Sequence, residues 1–343
     1  MNRTKHVRRS GGFTRAPALV LIVLLLVGAA TAVVGNDYRL DERTVMIPVP
    51  GGQVEAVLAS PDTGEARGTV VFVHGDGPVD AANDGLYRPL WEAAADAGYT
   101  TVSWSKPGIG ASSGDWLDQD MGDRADEVSA VIDWLSEQPE TAHGTIGLWG
   151  ASQAGWVLPK VVAGRDDVDF VVAVSPAVNW LRQGRYHLLS ELDHARADQA
   201  ERERAVADSD RTRALLAEGA DHATYLAGTT DPHPMDAGRW DFALRNFRAD
   251  ATADLQAMSD QGVPVLLMLG EHDRNVDADE TARVYTRILG RNVRVERFDA
   301  AHSMARPVAE ESAPVGLATA LLWPRALFAP GVLDTYRSFV ETV

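Results

Sequence analysis

The chain of 343 residues contains no cysteine. This absence excludes disulfide bonds, a thiol nucleophile and thiolate metal sites, but it leaves the cellular compartment open because many exported bacterial proteins also lack disulfides. Basic residues are scarce relative to acidic ones, 32 against 49, and the formal net charge is −17. A chain this acidic lacks the positive surface that a nucleic acid requires, so we expect no nucleic-acid partner.

Charge is also absent from a stretch near the amino terminus. Residues 16–35 carry no charged side chain, and the fifteen residues before them carry basic side chains but no acidic one. As a helix, these twenty residues would span about 30 Å, the thickness of a bilayer core. We expect a single-pass membrane anchor, with the basic flank cytoplasmic and the catalytic domain outside. A cleaved signal peptide is the alternative, since Ala30-Thr31-Ala32 fits a cleavage site and cleavage would make the protein secreted.

Apolar runs alternate with helix-compatible segments along most of the remaining chain. This pattern is typical of a mostly parallel sheet with helices on both faces, so we predict the α/β class. A hairpin is predicted over residues 44–60, followed by strands at residues 69–73, 100–104, 145–149, 168–174, 263–269 and 293–298. A helix is predicted over residues 124–138, with Asp123 as its cap.

Residues 180–258 interrupt this alternation, because they are helical in pattern throughout and have few β-branched residues. We predict an inserted helical cap here, between a first core part at residues 37–179 and a second at residues 259–343, after an amino-terminal segment at residues 1–36. Apolar residues either line the underside of this cap or only attach it to the core: Leu188, Leu189, Leu192, Trp240, Phe242, Leu244 and Phe247. A later apolar stretch, residues 317–333, either packs on the core or forms a membrane-facing surface.

The segment Gly150-Ala151-Ser152-Gln153-Ala154-Gly155 follows a predicted strand and precedes a helix-compatible stretch. A strand, a sharp turn with serine at its tip and a helix form the layout of a nucleophile elbow. The turn strains the serine backbone, so its neighbours must be small, and Gly150 and Ala154 are small. Ala154 departs from the usual G-x-S-x-G, which has glycine there. An ordinary strand-to-helix turn is the alternative interpretation.

Asp273 and His302 each follow a predicted strand further along the chain. The order serine, acid, histidine is the order of a hydrolase triad. Because the carboxyl ends of parallel strands share one edge of a sheet, we expect Ser152, Asp273 and His302 to meet there. Ser152 would be the nucleophile, His302 its base and Asp273 the group that orients the base. Taken singly, Asp273 could instead cap the following helix, and His302 could be a solvated loop residue.

A glycine-rich loop follows the first predicted buried strand. Acyl transfer needs backbone N–H groups aimed at the developing oxyanion, and we expect these from Gln153 and Asp76. Gly75 and Gly77 let the backbone approach the substrate. We interpret His74 as an organiser of this loop rather than a proton carrier. A simple glycine-rich turn is the alternative.

The chain resembles the α/β-hydrolase superfamily, in particular its bacterial branch of serine aminopeptidase-like and acyl-ester hydrolases. The resemblance covers about residues 40–343 and rests on four segments, which are residues 73–78, 106–116, 150–156 and 269–273. It implies an α/β-hydrolase fold and the hydrolytic machinery, but it is not specific for a substrate. We expect no cofactor. No metal is expected either, since the cap histidines lack metal-ligand spacing: His187, His194, His222 and His233.

The leading hypothesis is a serine hydrolase that cleaves a carboxylic ester or related acyl bond of a small molecule through an acyl-enzyme. Esters, thioesters and lactones are easier acyl donors than amides. The alternative within the enzyme class is an aminopeptidase, which would need a cap carboxylate to hold the substrate amine. The candidates are Glu191, Asp193, Asp231 and Asp236. A non-catalytic, membrane-tethered binding protein on a hydrolase fold is the hypothesis from a different class.

Overall fold

The computed structural model describes residues 26–139, 141 and 144–343. Among these residues, eight strands form one sheet: β1 (Leu40–Val49), β2 (Gly52–Pro61), β3 (Gly68–Val73), β4 (Tyr99–Trp104), β5 (Thr145–Ala151), β6 (Phe170–Val174), β7 (Val265–Gly270) and β8 (Val293–Phe298). Their order across the sheet is β1-β2-β4-β3-β5-β6-β7-β8. β3 to β8 pair in parallel, whereas β2 is antiparallel to both β1 and β4. The predicted α/β class with a mostly parallel sheet is therefore confirmed.

Helices lie before, between and after the strands. They are α1 (described over residues 26–35), α2 (Arg88–Asp96), α3 (Met121–Ser136), α4 (Leu158–Gly164), α5 (Trp180–His194), α6 (Gln199–Glu218), α7 (His222–Gly228), α8 (Ala237–Asn246), α9 (Thr252–Ser259), α10 (Ala278–Leu289), α11 (Pro307–Glu311), α12 (Ala313–Leu322) and α13 (Val332–Thr342). Short 3₁₀ turns lie at Trp116–Asp118, Ser152–Trp156, Gly290–Asn292 and Pro324–Leu327.

The two faces of the sheet bury separate cores. Successive side chains of a strand point to opposite faces, and β3 shows this alternation. Val71 and Val73 belong to the core that α3, α4 and α10 cover. Val70 and Phe72 belong to the core that α2 and α13 cover. Because both faces are covered, every residue of β3 is buried, which explains its continuous apolar run.

The start of α3 differs from the sequence prediction, which made Asp123 the cap. Asp120 is the N-cap residue, and its side chain accepts from the N–H groups of Gly122 and Asp123. Asp123 lies in the first turn and its carboxylate accepts from the N–H of Asp120 in return. This reciprocal capping box satisfies otherwise unpaired donors, so the helix begins one turn earlier than its apolar periodicity indicates.

Residues 180–258, which we call the cap segment, contain α5 to α8 and most of α9 and form no strand. They have a small core of their own, in which Tyr225 stacks on Trp240 with ring centroids 4.3 Å apart, beside Phe247. Phe242 faces the other way and packs into the main core against Trp116. The helical pattern of this segment is confirmed, and the domain boundaries drawn around it stay a prediction.

Ten residues of the predicted amino-terminal anchor are described. Residues 26–35 are helical, whereas residues 16–25 lie outside the described part of the chain. Within residues 26–139, 141 and 144–343, no helix combines the length and apolar character needed to cross a membrane. The end of α1 packs on α12, since a Cβ at Gly35 would overlap the carbonyl of Leu322. Asn36 Nδ2 donates to Leu321 O at 3.0 Å, and Arg325 Nη1 donates to Gly35 O at 2.6 Å.

Candidate active site

Ser152 stands directly after β5, at the start of a 3₁₀ turn, with a backbone φ of +55°. This left-handed conformation costs a residue with a side chain about 1–3 kcal/mol, and such strain clusters at functional sites. A Cβ at Gly150 would lie 2.7 Å from the Ala154 methyl group. Ala154, itself fully buried, thus occupies space that the missing side chain of Gly150 leaves. The departure from G-x-S-x-G is therefore accommodated sterically.

His302 and Asp273 are hydrogen-bonded to each other, with 2.8 Å between His302 Nδ1 and Asp273 Oδ2. The Asp273 side chain is 1% exposed and that of His302 is 16% exposed. The second carboxylate oxygen, Oδ1, accepts from the N–H groups of Asn275 and Val276 at 2.8 and 2.9 Å. These bonds fix the carboxylate, so it presents one oxygen to the imidazole. The cap of the following helix α10 is Asp277, so the alternative role for Asp273 as that cap is wrong.

The loops that carry Asp273 and His302 are held together by backbone contacts. The N–H of His272 donates to Ala300 O at 2.9 Å, directly beyond the paired strands β7 and β8. Gly270, the last residue of β7, lies so close to Ala300 that a Cβ there would come within 2.6 Å of the Ala300 carbonyl. The absence of a side chain at Gly270 therefore permits the close approach of the two loops.

Ser152 and His302 line one cavity of about 610 Å³ at the carboxyl edge of the sheet. Gly75 and Asp76 of the glycine-rich loop line the same cavity. A Cβ at Gly75 would stand 3.4 Å from the Ser152 Cβ, so this loop passes directly beside the serine. The structure therefore brings together the residues that the sequence placed at separate strand ends.

His74 is buried below this loop, 2% exposed. Its Nδ1 lies 3.2 Å from the Tyr87 hydroxyl and its Nε2 lies 2.5 Å from the carbonyl oxygen of Trp104. Burial, together with the charge of Lys106, lowers the pKa of His74 to about 3. A histidine that is neutral at all ordinary pH values and bonded on both nitrogens supports the interpretation of His74 as an organiser. Gly77, two residues past Gly75, has a φ of +95° and lets the loop turn.

Arg124 is a site residue that the sequence analysis missed. Its side chain is buried under the loop, where Nη1 donates to Gln153 Oε1 at 2.5 Å and Nη2 donates to His74 O at 2.7 Å. One planar guanidinium thus ties the residue after Ser152 to the start of the glycine-rich loop. A signal was present in the sequence, since Arg124 lies four residues before Val128 on the apolar stripe of α3, where a charge is out of place.

Asp76 joins this network to the cap segment. Arg239 of α8 donates to both Asp76 oxygens, at 2.9 and 2.5 Å, and Gln153 Nε2 donates to Asp76 Oδ1 at 2.9 Å. Burial raises the pKa of the Asp76 carboxyl, but the hydrogen bonds and charge of Arg239, with the charge of Lys106, outweigh it, so the pKa lies below its ordinary value. Asp76 therefore remains ionised and holds the glycine-rich loop to α8.

Lys106 completes a cluster of buried charges. Its Nζ donates to Gly75 O at 2.6 Å and lies 5.0 Å from the centroid of the Trp116 ring. Burial, and then the charge of Arg124, holds the pKa of Lys106 well below its ordinary value. Glu127 balances part of this charge, although burial raises its pKa, and it accepts from Trp104 Nε1 at 2.7 Å. The charges lie below the loop rather than in the cavity.

The cap carboxylates considered for amine binding lie elsewhere. Glu191 pairs with Arg274, Asp193 pairs with Arg202, Asp231 closes a turn onto His233 N, and Asp236 caps α8. None of the four lines the 610 Å³ cavity. Glu310 of α11 does line it. Among the described residues, no three His, Asp or Glu side chains are placed to hold a metal ion.

The apolar residues of the cap segment do not line the cavity. Of their two predicted roles, the structure shows attachment of the cap to the core for Phe242, which packs into the main core. The apolar walls of the cavity come from α2, the strand ends and the segment from α11 to α13. Five residues of the apolar stretch 317–333 line the cavity: Leu317, Ala320, Leu327, Phe328 and Val332.

The eight-stranded sheet, with the candidate site on the loops at the carboxyl ends of its strands, defines the chain as an α/β-hydrolase of the serine-hydrolase type. Residues 51–303 match the X-Pro dipeptidyl-peptidase (S15) family. Because the match spans most of the chain, the protein belongs to this family and is a hydrolase.

Solved structures share the fold. The esterase Pf2001 of Pyrococcus furiosus is 16% identical and aligns with a TM-score of 0.52 over 83% of this chain and 92% of its own. Est1E of Butyrivibrio proteoclasticus, with ferulic acid bound, is 15% identical and aligns with a TM-score of 0.53 over 87% of this chain and 96% of its own. At such identities the likeness shows the fold alone.

A sequence relative matches only in part. The uncharacterized protein RP471 of Rickettsia prowazekii (strain Madrid E) is 28% identical over 108 residues, which are 32% of this chain. The match spans 44% of the length of that relative.

Proposed function

We propose that Ser152, His302 and Asp273 form a catalytic triad that cleaves a carboxylic ester or related acyl bond. The observation that carries this proposal is the 2.8 Å hydrogen bond between His302 and the buried Asp273, with Ser152 and His302 on the walls of one cavity. The strained backbone of Ser152 and the membership in a hydrolase family support it.

The reaction follows from these positions. Ser152 Oγ attacks the substrate carbonyl carbon while His302 Nε2 takes the hydroxyl proton, and Asp273 holds the Nδ1–H and stabilises the imidazolium. The tetrahedral intermediate expels the alcohol, which receives the proton from His302, and leaves an acyl-enzyme on Ser152. Water then repeats the sequence and releases the acid.

Two backbone N–H groups receive the oxyanion in this proposal. The first N–H groups of a helical turn have no hydrogen-bond partner within that turn. Gln153 is the second residue of the 3₁₀ turn that starts at Ser152, so its N–H is one of these groups. The second comes from Asp76, whose loop passes beside the serine. The charge of Arg124 below this loop favours a developing anion, and electrostatic preorganisation is usually the largest catalytic contribution.

Labelling with a fluorophosphonate probe tests the nucleophile. The protein is expected to bind the probe covalently, and Ser152→Ala is expected to lose both labelling and hydrolysis of p-nitrophenyl acetate. Ser303→Ala removes a second hydroxyl from the same cavity and serves as the control that retains labelling. Labelling of the folded Ser152→Ala protein would contradict the assignment.

A second candidate function is an aminopeptidase-type activity. It is favoured by the name of the matched family and by Glu310, a carboxylate on the cavity wall that could hold a substrate amine. Rates with p-nitrophenyl esters and with aminoacyl p-nitroanilides separate the two functions. If anilides are turned over faster and Glu310→Gln raises their KM, the ranking is reversed.

We also propose that residues 16–35 anchor the protein in the cytoplasmic membrane, with the catalytic domain outside. The uninterrupted apolar stretch and the basic flank support this topology. Sequencing the mature amino terminus from the membrane fraction tests it, because a terminus beginning after Ala32 in the soluble fraction would indicate a cleaved signal peptide instead.

A further inference from the structure

The walls of the cavity point to a substrate class, an inference that rests on the proposed function. We propose that the site takes esters that carry an unbranched hydrocarbon chain, and that this chain lies in the apolar part of the cavity beneath α12.

Away from Ser152 and His302, most of the cavity walls are apolar. Leu86 and Leu90 contribute from the region of α2, Met268 from the end of β7, and Leu317 and Ala320 from α12. These aliphatic and thioether side chains offer a hydrocarbon chain contact without hydrogen bonds to satisfy. A volume of about 610 Å³ also exceeds what an acetyl group needs and falls in the ordinary range of sites for larger organic ligands.

The charges of the cavity exclude an anionic chain end. The acidic side chains on its walls are Asp76 and Glu310, and among the described wall residues there is no lysine or arginine. Asp76 is already paired with Arg239, so it contributes little net charge. Glu310 lies 4.0 Å from Arg274 Nη2, which is not a wall residue. A substrate tail with a carboxylate or phosphate would therefore find no cation on the walls and would lie next to a carboxylate. An uncharged chain meets neither problem.

The cavity also meets an apolar outer surface at α12. Leu317 lines the cavity and is at the same time 62% exposed, so it stands at an opening. Leu321 on the same helix is 61% exposed, and Trp323 just beyond it is 40% exposed. A hydrocarbon chain that enters past Leu317 therefore contacts apolar side chains on the surface and in the cavity, and this contact keeps its transfer from water favourable.

Chain-length profiles of hydrolysis test the proposal. p-Nitrophenyl alkanoates lengthen the acyl side and alkyl acetates lengthen the alcohol side, both kept below the concentrations at which they aggregate. In one of the two series, kcat/KM is expected to rise by up to about fourfold for each added methylene, the factor that corresponds to 0.8 kcal/mol. The series that rises identifies the side of the ester on which the chain is bound.

Esters in which an aromatic group of equal carbon number replaces the linear chain test whether the site prefers the shape of an unbranched chain. If the chain is on the acyl side, the heptanoyl ester is expected to exceed the benzoyl ester at least tenfold in kcat/KM. If it is on the alcohol side, heptyl acetate is expected to exceed benzyl acetate likewise. Equal rates for the linear and the aromatic members would overturn the proposal.

Two substitutions on one helix locate the chain. Ala320→Trp fills the cavity from α12, whereas Ala318→Trp places the same side chain on the exposed face of the helix, away from the cavity walls. Ala320→Trp is expected to reduce the ratio of octanoate to acetate turnover, or of octyl to methyl acetate turnover, at least tenfold. Ala318→Trp is expected to leave that ratio within about twofold of the parent.

The outcomes separate this inference from the proposed function. If the protein neither binds fluorophosphonate nor hydrolyses acetate esters, the proposed function fails. If it does both but shows flat chain-length profiles in both series, or if Ala320→Trp and Ala318→Trp behave alike, the triad stands and the hydrocarbon site is refuted.

Discussion

The two sides of the cavity differ in polarity. Below the glycine-rich loop, Arg124, Lys106 and Arg239 form hydrogen bonds and ion pairs with Gln153, Asp76 and backbone carbonyls. Towards α12, most wall side chains are aliphatic or aromatic, apart from Ser303 and Glu310, and the exposed face of α12 is apolar. Hydrogen bonds are directional, so the polar side holds its atoms at defined positions. Hydrophobic contact has no direction, so the apolar side can bind a chain without fixing its atoms.

This contrast assigns different duties to the two sides. On the polar side a substitution should change kcat, since the positions of the reacting groups depend on it. On the apolar side a substitution should change substrate preference. Four predictions probe the polar side, from the largest expected effect to the smallest.

The buried pair of Asp273 and His302 should matter far more than a similar pair at the surface. Asp273→Asn removes the acceptor that selects the His302 tautomer, and we expect kcat to fall by about 10⁴-fold, as in other triads. His272 and Asp299 form a carboxylate–imidazole pair with 2.6 Å between Nε2 and Oδ1, but their side chains are 55% and 78% exposed. Asp299→Asn is therefore the control and should keep kcat within about twofold, in line with the weak energetics of surface pairs. Comparable losses in both variants would contradict a triad role.

Arg124 should affect the rate more than an arginine of a surface ion pair does. Arg124→Gln removes the guanidinium from Gln153 and His74, and we expect kcat to fall by roughly 10²-fold with little change in KM, a loss similar to that of one oxyanion donor. Arg165→Gln is the matched control, since Arg165 forms ion pairs with the exposed Asp133 and Asp167 and donates to Ser129 O, far from the cavity walls. Circular dichroism establishes that each variant is folded. An unchanged kcat in folded Arg124→Gln would remove this arginine from the catalytic support.

His74 makes the polar side sensitive to acid. Its pKa is about 3 when folded, against an ordinary value of 6.5, so the unfolded chain binds a proton in this range and the folded protein does not. Stability should therefore fall as the pH drops from 6.5 towards 3, by at most about 1.4 kcal/mol per pH unit from this residue. His74→Gln cannot titrate, and thermal unfolding between pH 7 and pH 4 should show a shallower decline. Parallel declines of Tm in both proteins would mean that other groups dominate.

The pair of Asp76 and Arg239 should have the smallest effect. The two side chains are 43% and 30% exposed, so solvent screens the pair and we expect about 1 kcal/mol or less of coupling. A double-mutant cycle with Asp76→Asn and Arg239→Gln measures this coupling in kcat/KM, and it should shrink at high salt. Additive losses would show that α8 and the oxyanion loop act independently.

The fold was largely predictable because its signals are local. β8 has the predicted bounds, at residues 293–298, since its alternation of side chains is visible within one segment. The three triad candidates followed from the same reading, because each stands just beyond a strand and parallel strands end at one edge.

The supporting residues were not predictable in this way. Arg239 lies 163 residues from Asp76 along the chain, and nothing near either residue specifies the other. The sequence also left the source of the apolar walls open, and in the structure they come from α2, from strand ends and from residues beyond His302. The ion pair and the apolar walls both depend on how helices that are distant in the chain pack together. The sequence contains many other charged residues that could form such a pair and many other apolar residues that could line a cavity.

The sequence by itself determined the order of strands and helices, the strained serine turn and the strand-end positions of Asp273 and His302. Each of these depends on the conformational preferences of a few neighbouring residues. Only the tertiary structure decided that Arg124 and Arg239 converge on the loop of Asp76 and that α12 borders the cavity. These contacts join residues far apart along the chain, and they arise from packing and burial, which no single segment encodes.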